Sequence, residues 1–120
     1  MDDQQKDNPI KSKSFDFAVR VVKFHKWLKD SGVDFELAKQ VLRSGTSIGA
    51  NVEEAVSAHT KKDFAHKMGI AFKEANETRY WIELLQATEL IDETISESLL
   101  SDLTQIIKIL AAILITSKKG

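Results

Sequence analysis

Histidine and carboxylate residues at helical spacing are the ones in this chain whose types could do chemistry. A helical bundle can hold a di-metal centre when a Glu-x-x-His motif on each of two helices joins a glutamate from each of the others. The histidines are His25, His59 and His66, and none follows a glutamate by three positions. The nearest approach is Asp63-Phe64-Ala65-His66, one half-motif without a second copy. That pattern suits a polar helix face better than a ligand set, so no metal site is expected. Cysteine is absent, which excludes disulfides and thiolate-held zinc or iron–sulfur centres.

Glu53, Glu54, Glu74 and Glu77 are the carboxylates to consider for acid–base work. Such work needs a shared pocket and a shifted pKa, and no pattern in the sequence points to either. Helical spacing instead puts Arg43, Ser47, Asn51 and Glu54 on one side of one helix, and Lys67, Glu74, Glu77 and Trp81 in a comparable row on the next. Two such rows read as a polar seam between helices or between subunits, with Arg43 paired to Glu74 or Glu77. The planar guanidinium suits that place because its fork can hold a carboxylate by two bonds. No phosphate-binding loop, dinucleotide fingerprint or Ser-His-Asp order is present. The expectation is a protein with no catalytic residue, no cofactor and no evident small-molecule substrate.

For nucleic acid the candidate contacts are Arg20, Lys23, Lys26 and Lys29 in the first periodic segment, and Lys61 and Lys62 at the start of the third. Three-residue spacing drifts around a helix, so the first group forms a broad band. A solvated face is the plainer reading of such a band. The formal net charge is −1, so bulk electrostatics gives no attraction to phosphate and any contact must be local. Repetition around a ring would multiply a weak patch.

The elements that position these residues are helical. Residues 1–13 are charged, contain Pro9 and have no period, and read as a flexible tail ahead of a bundle domain over 14–120. A first helix is expected over about 15–29, capped by Ser14 and stopped at Ser31-Gly32. A second starts from Asp34 and runs to about residue 58. Gly45 and Gly49 lie inside it, and two readings compete. Either a loop at Arg43-Ser44-Gly45 restarts the helix, or one helix continues and its glycines, four apart, let a neighbour approach closely. The apolar face keeps its register through both glycines, which favours one helix. A third helix opens at Thr60 with Asp63 near the capping-box position and runs to about residue 90. A fourth is expected from Ser96 to about residue 116, with Ile95 and Leu100 as a hydrophobic staple. Long helices with short connections imply an all-α, antiparallel up-down four-helix bundle.

The apolar residues exceed what one such bundle needs. On a wheel of about 100° per residue, the apolar arc of the last helix runs from Ile109 through Leu99 and Leu103 to Leu100 and Ile115, about 240° in all. A helix on the surface of a monomeric bundle needs a stripe only somewhat over about 100° wide. The first helix carries Phe15, Phe17, Val21, Val22, Phe24, Trp27 and Leu28 on more than one face. Apolar surface of this extent marks an interface, so a homo-oligomer is expected, with Ile109, Ile113 and Ile115 on its contact surface. A fourth helix buried on most sides, or a partner helix from another protein, would also account for it.

The charged residues are 29% of the chain and the hydrophobic ones 42%, which fits a single globular domain. The polar N-terminus is unlike a secretory signal. The most apolar stretch, residues 99–115, is interrupted by Asp102 and Lys108, so no membrane span is expected. With no cysteine, a cytoplasmic location is consistent.

Two blocks carry a family likeness. The first is Arg43-Ser44-Gly45-Thr46-Ser47-Ile48-Gly49-Ala50-Asn51-Val52-Glu53-Glu54-Ala55. The second is Lys62-Asp63-Phe64-Ala65-His66-Lys67-Met68-Gly69-Ile70-Ala71, continued at Lys73-Glu74-Ala75-Asn76-Glu77-Thr78-Arg79-Tyr80-Trp81-Ile82-Glu83-Leu84-Leu85. Together they resemble the signature blocks of the four-helix bundle proteins encoded in intervening sequences of bacterial 23S rRNA genes. The resemblance implies an up-down bundle with a continuous second helix, assembled as a homopentameric ring. The accessory variability proteins of diversity-generating retroelements look similar in fold, and their rings bind nucleic acid and a reverse transcriptase through basic surfaces. The net charge of this chain departs from that pattern. The resemblance brings no enzymatic activity with it. It implies self as one partner and RNA or another protein as the next.

Overall fold

The structure is a computed structural model and describes residues 9–119. Its helices are α1 (Pro9–Asp30), α2 (Phe35–Val56), α3 (Lys61–Ala87) and α4 (Glu93–Lys119), with no strand among the described residues. Three of them begin where a side chain can accept the unpaired N–H groups of the first turn. Asp34 Oδ1 accepts from Glu36 N at 2.9 Å and from Leu37 N at 3.2 Å. Thr60 Oγ1 accepts from Asp63 N at 3.0 Å, and Asp92 Oδ1 from Ile95 N at 2.8 Å.

Two expected starts are corrected. The first helix begins at Pro9, not after Ser14. Proline tolerates the first helical position because the N–H it lacks would have no partner there. Ser14 is buried inside α1, and its hydroxyl donates to the Lys11 carbonyl at 3.2 Å. Residues 9–13 of the expected tail are therefore helical, while residues 1–8 lie outside the described residues. The fourth helix begins at Glu93 with Asp92 as its cap. Ser96 is buried one turn in, where its hydroxyl donates to Gln86 of α3. With the cap at Asp92 the staple position before it falls on Ile91, not Ile95.

Both well-formed C-termini use a left-handed residue. Gly32 has φ 81°, and Val33 N–H reaches back to the Leu28 carbonyl at 3.0 Å. Glu89 has φ 63°, and Leu90 N–H reaches the Leu85 carbonyl at 2.9 Å. In both, the chain closes the last turn with the reach-back bond of a Schellman motif.

The helices pack as a bundle with extents of 45 × 23 × 22 Å. α1 packs on α2, α2 on α3 and α3 on α4, and the α4–α1 seam is the lightest. Phe17, Val21, Leu28, Ile48, Met68, Ile82, Leu103 and Leu110 fill the centre. α2 is continuous through both glycines. A β-carbon on Gly45 would stand 2.8 Å from two Val21 methyls, and one on Gly49 would stand 3.2 Å from the Ser14 carbonyl oxygen. The glycines thus mark the line where α1 lies against α2. α4 is long and apolar enough to cross a membrane by length and composition, with a mean hydropathy of 1.8. In this bundle its Leu99, Leu103, Ile106 and Leu110 side is core.

Candidate interaction surfaces

Along the α2–α3 line the polar rows meet. Arg43 lies 3.3 Å from Glu74 and forms a close ion pair with Glu77, whose Oε2 also accepts from Trp81 Nε1–H at 3.2 Å. Lys67 meets Glu54 at 2.8 Å. Burial opposes the Arg43 charge, but the hydrogen bond to Glu77, the charge of Glu77 and then Glu74 outweigh it, and the guanidinium pKa is raised. The hydrogen bond and charge of Glu54 likewise raise the Lys67 pKa. Ser47 and Asn51 do not cross the seam. Ser47 Oγ donates to the Arg43 carbonyl at 2.6 Å, and Asn51 Nδ2 to the Ser47 carbonyl at 2.8 Å. Beneath the seam lies a pair of buried hydroxyls, Ser44 and Thr78, 2.9 Å apart. In the sequence the sign of this pair is Thr78, which completes the apolar row of the third helix.

Each of these carboxylates is engaged by a cation. Glu53 faces Lys11 at 3.7 Å, Glu54 faces Lys67, and Glu74 and Glu77 share Arg43. No two of them share a pocket without an intervening cation. Among the described residues no group of three His, Asp or Glu side chains is placed to hold a metal ion.

The basic residues singled out from sequence are not gathered into one patch. Arg20 is used within the fold. It lies 2.7 Å from Asp102 and donates to the Ser98 carbonyl at 3.1 Å and to the Ser98 hydroxyl, which ties α1 to α4. Lys26 pairs with Asp30 at 3.5 Å. Lys23 and Lys29 are exposed on the second half of α1. Lys61 and Lys62 are exposed at the start of α3, close to where α2 ends and the first turns of α1 lie against it at Lys11 and Glu53.

The uncovered apolar surface is heaviest on α1. Phe15 is 67% exposed, Val22 52% and Val19 40%. These three sit about 140° to 200° around the helix from the buried side that carries Phe17, Val21, Phe24 and Leu28. Among the described residues nothing covers this row, which faces away from the core. Beside Phe15 lies a groove of about 700 Å³ between α1 and α2, floored by Ala18, Gly49 and Ala50 and ended by Lys11 and Glu53. On α4 the outcome is different. Ile109 and Ile113 are half-buried against their own core, and only Ile115, 58% exposed, stands largely in water. The wide arc of α4 is spent largely on its flanks toward the neighbouring helices, a division that a wheel drawn for one helix does not reveal.

A family model described as 23S rRNA-intervening sequence protein matches residues 6–112. A crystal structure from Bacteroides thetaiotaomicron, described as a protein with unknown function from the S23 ribosomal protein family, superposes with a TM-score of 0.85 at 50% sequence identity. The alignment covers 88% of this chain and 97% of that one. No curated protein matches.

Proposed function

The chain belongs to the 23S rRNA-intervening sequence protein family, and from that premise we propose that it is a non-enzymatic, self-associating four-helix bundle that acts as an RNA-associated adaptor. The observation that carries self-association is the outward row Phe15, Val19 and Val22, with the groove beside it. Its members face away from the core, and burying their exposed part needs another surface. In this reading the helices run up and down, antiparallel. In support, Arg43 meets Glu74 and Glu77, whereas Glu54, three turns further along α2, meets Lys67, which comes earlier in α3. Copies of the chain close into a ring, for which the resemblance suggests five subunits, and the location is cytoplasmic. Ile109, Ile113 and Ile115 add to the contact surface where α4 reaches its end.

The RNA part of the reading rests on the family and on cations left bare by the fold: Lys23, Lys29, Lys61 and Lys62 are all exposed. Repeated around a ring, such weak contacts sum. An electrophoretic shift of labelled structured RNA at low and moderate salt tests it. A shift that weakens with salt supports the adaptor, and no shift at either salt removes it. A second reading, a protein-interaction scaffold without RNA, draws on the net charge of −1 and on the neutralisation of Arg20 by Asp102 and of Lys26 by Asp30. A partner retained after nuclease treatment would favour that reading.

A further inference from the structure

We propose that the outer face of α3 is a track for single-stranded RNA, with Lys62, His66 and Lys73 toward the phosphates and the Tyr80 ring as a stacking platform for a base. This rests on the RNA-adaptor reading and gives it a surface other than α1. The steps between these residues are four, seven and seven, which keeps them on one side of a helix. From Lys62 to Tyr80 the row is about 27 Å long at about 1.5 Å per residue. It points away from the bundle: Lys62, His66, Lys73 and Tyr80 are all exposed.

The three cationic or basic side chains have no hydrogen-bond or ion-pair partner among the described residues. This separates them from Arg20 and Lys26, which the fold has already neutralised. Of the acids beside the row, Asp63 is exposed next to Lys62, while the two further along are occupied. Glu74 and Glu77 face Arg43, and Glu77 also holds Trp81. Glu83, one turn beyond Tyr80, bounds the row with a negative charge. Between His66 and Lys73 sits Gly69, where a β-carbon would find no atom within 4 Å. The backbone is therefore open to close approach midway along the row.

Tyr80 distinguishes this face from a plain solvated one. Its ring meets Trp81 edge to face, with centroids 5.1 Å apart and planes at 74°. Trp81 is in turn fixed by its bond to Glu77. The tyrosine is thus steadied on one side while 57% of it remains in water. Tyr80 stands two turns beyond Lys73, between Glu77 and Glu83, and an exposed aromatic at the end of a row of cations suits an unstacked base, which single-stranded RNA offers and an A-form duplex does not.

The test is fluorescence anisotropy of a labelled unstructured RNA oligonucleotide, with a duplex of the same length as a second probe. The variants are Tyr80→Ala, the pair Lys62→Gln and Lys73→Gln, and as a control the pair Lys39→Gln and Lys108→Gln on α2 and α4. All these positions are exposed, and circular dichroism checks that each variant folds. The parent should bind the single strand more tightly than the duplex. Tyr80→Ala should weaken binding about tenfold or more. The α3 lysine pair should flatten the dependence of log K on log salt by about 1.4. The control pair should do neither. Single-strand binding left unchanged by the α3 variants, or duplex binding as tight as single-strand binding, would overturn the α3 track and leave the adaptor reading standing. Absence of binding to either probe by the parent would overturn both.

Discussion

Two methyl groups of Val21 stand 2.8 Å from the point a β-carbon on residue 45 would occupy, so α1 lies against α2 at a distance that only glycine allows. On an open helix, Gly→Ala gains about 1 kcal/mol. Here the added methyl meets a buried β-branched side chain with little rotamer freedom, and overpacking of that kind costs about 1–3 kcal/mol. Gly45→Ala is therefore expected to destabilise the bundle by about 1–2 kcal/mol in urea unfolding. Gly69→Ala, with no neighbour within 4 Å, should instead stabilise it by up to about 1 kcal/mol. If Gly45→Ala raised the midpoint as Gly69→Ala should, the close approach at Gly45 would be refuted.

Glu89 occupies the left-handed region at φ 63°, where a β-carbon crowds the following carbonyl. Gly32 ends α1 in the same geometry without that penalty. Glu89→Gly should raise stability by about 0.5–1 kcal/mol, the relief of strain being partly offset by a freer unfolded chain. Thermal unfolding read by circular dichroism would measure it, and a lowered midpoint would count against the turn described.

Arg43 serves two carboxylates across the seam with separate arms of its planar fork, where lysine would offer a single compact charge. Because the arginine is about half exposed, Arg43→Ala is expected to cost only about 1 kcal/mol, and less at high salt. Arg43→Lys should recover less than half of that loss. Folding raises the pKa of Arg43 and of Lys67, so their contributions are fully present below the unfolded values and fade only as pH rises through the folded ones. The stability difference between parent and either variant should then stay flat from about pH 6 to 9. A loss confined to neutral pH would contradict the assignment.

The apolar period of each helix and the Asp34 and Thr60 caps were legible in the sequence, because burial and capping depend on residues close by in the chain. The continuity of α2 was legible as well, since its apolar face keeps register past Gly45 and Gly49. The starts of α1 and α4 were not. Ser14 and Ser96 look like caps in sequence, but both are buried by contacts with other helices, Ser14 against α2 and Ser96 on Gln86. The fate of the basic residues was equally hidden, because Arg20 is neutralised by Asp102, far along the chain on α4. The α4 arc overstated that helix's free surface, because its flanks rest on the bundle, while the surplus on α1 was legible from its spacing although Ile109, Ile113 and Ile115 were the residues singled out for contact.

In the proposed assembly Phe15, Val19 and Val22 lie in an interface between copies. Multi-angle light scattering over a range of concentrations tests it most directly, applied to the parent chain and to Val22→Asp. The parent should run at a multiple of the single-chain mass. Val22→Asp should fall to one chain while keeping its helical signal, since the residue faces away from the core. A parent of single-chain mass at every concentration, or a Val22→Asp variant that keeps the parent's mass, would contradict the account.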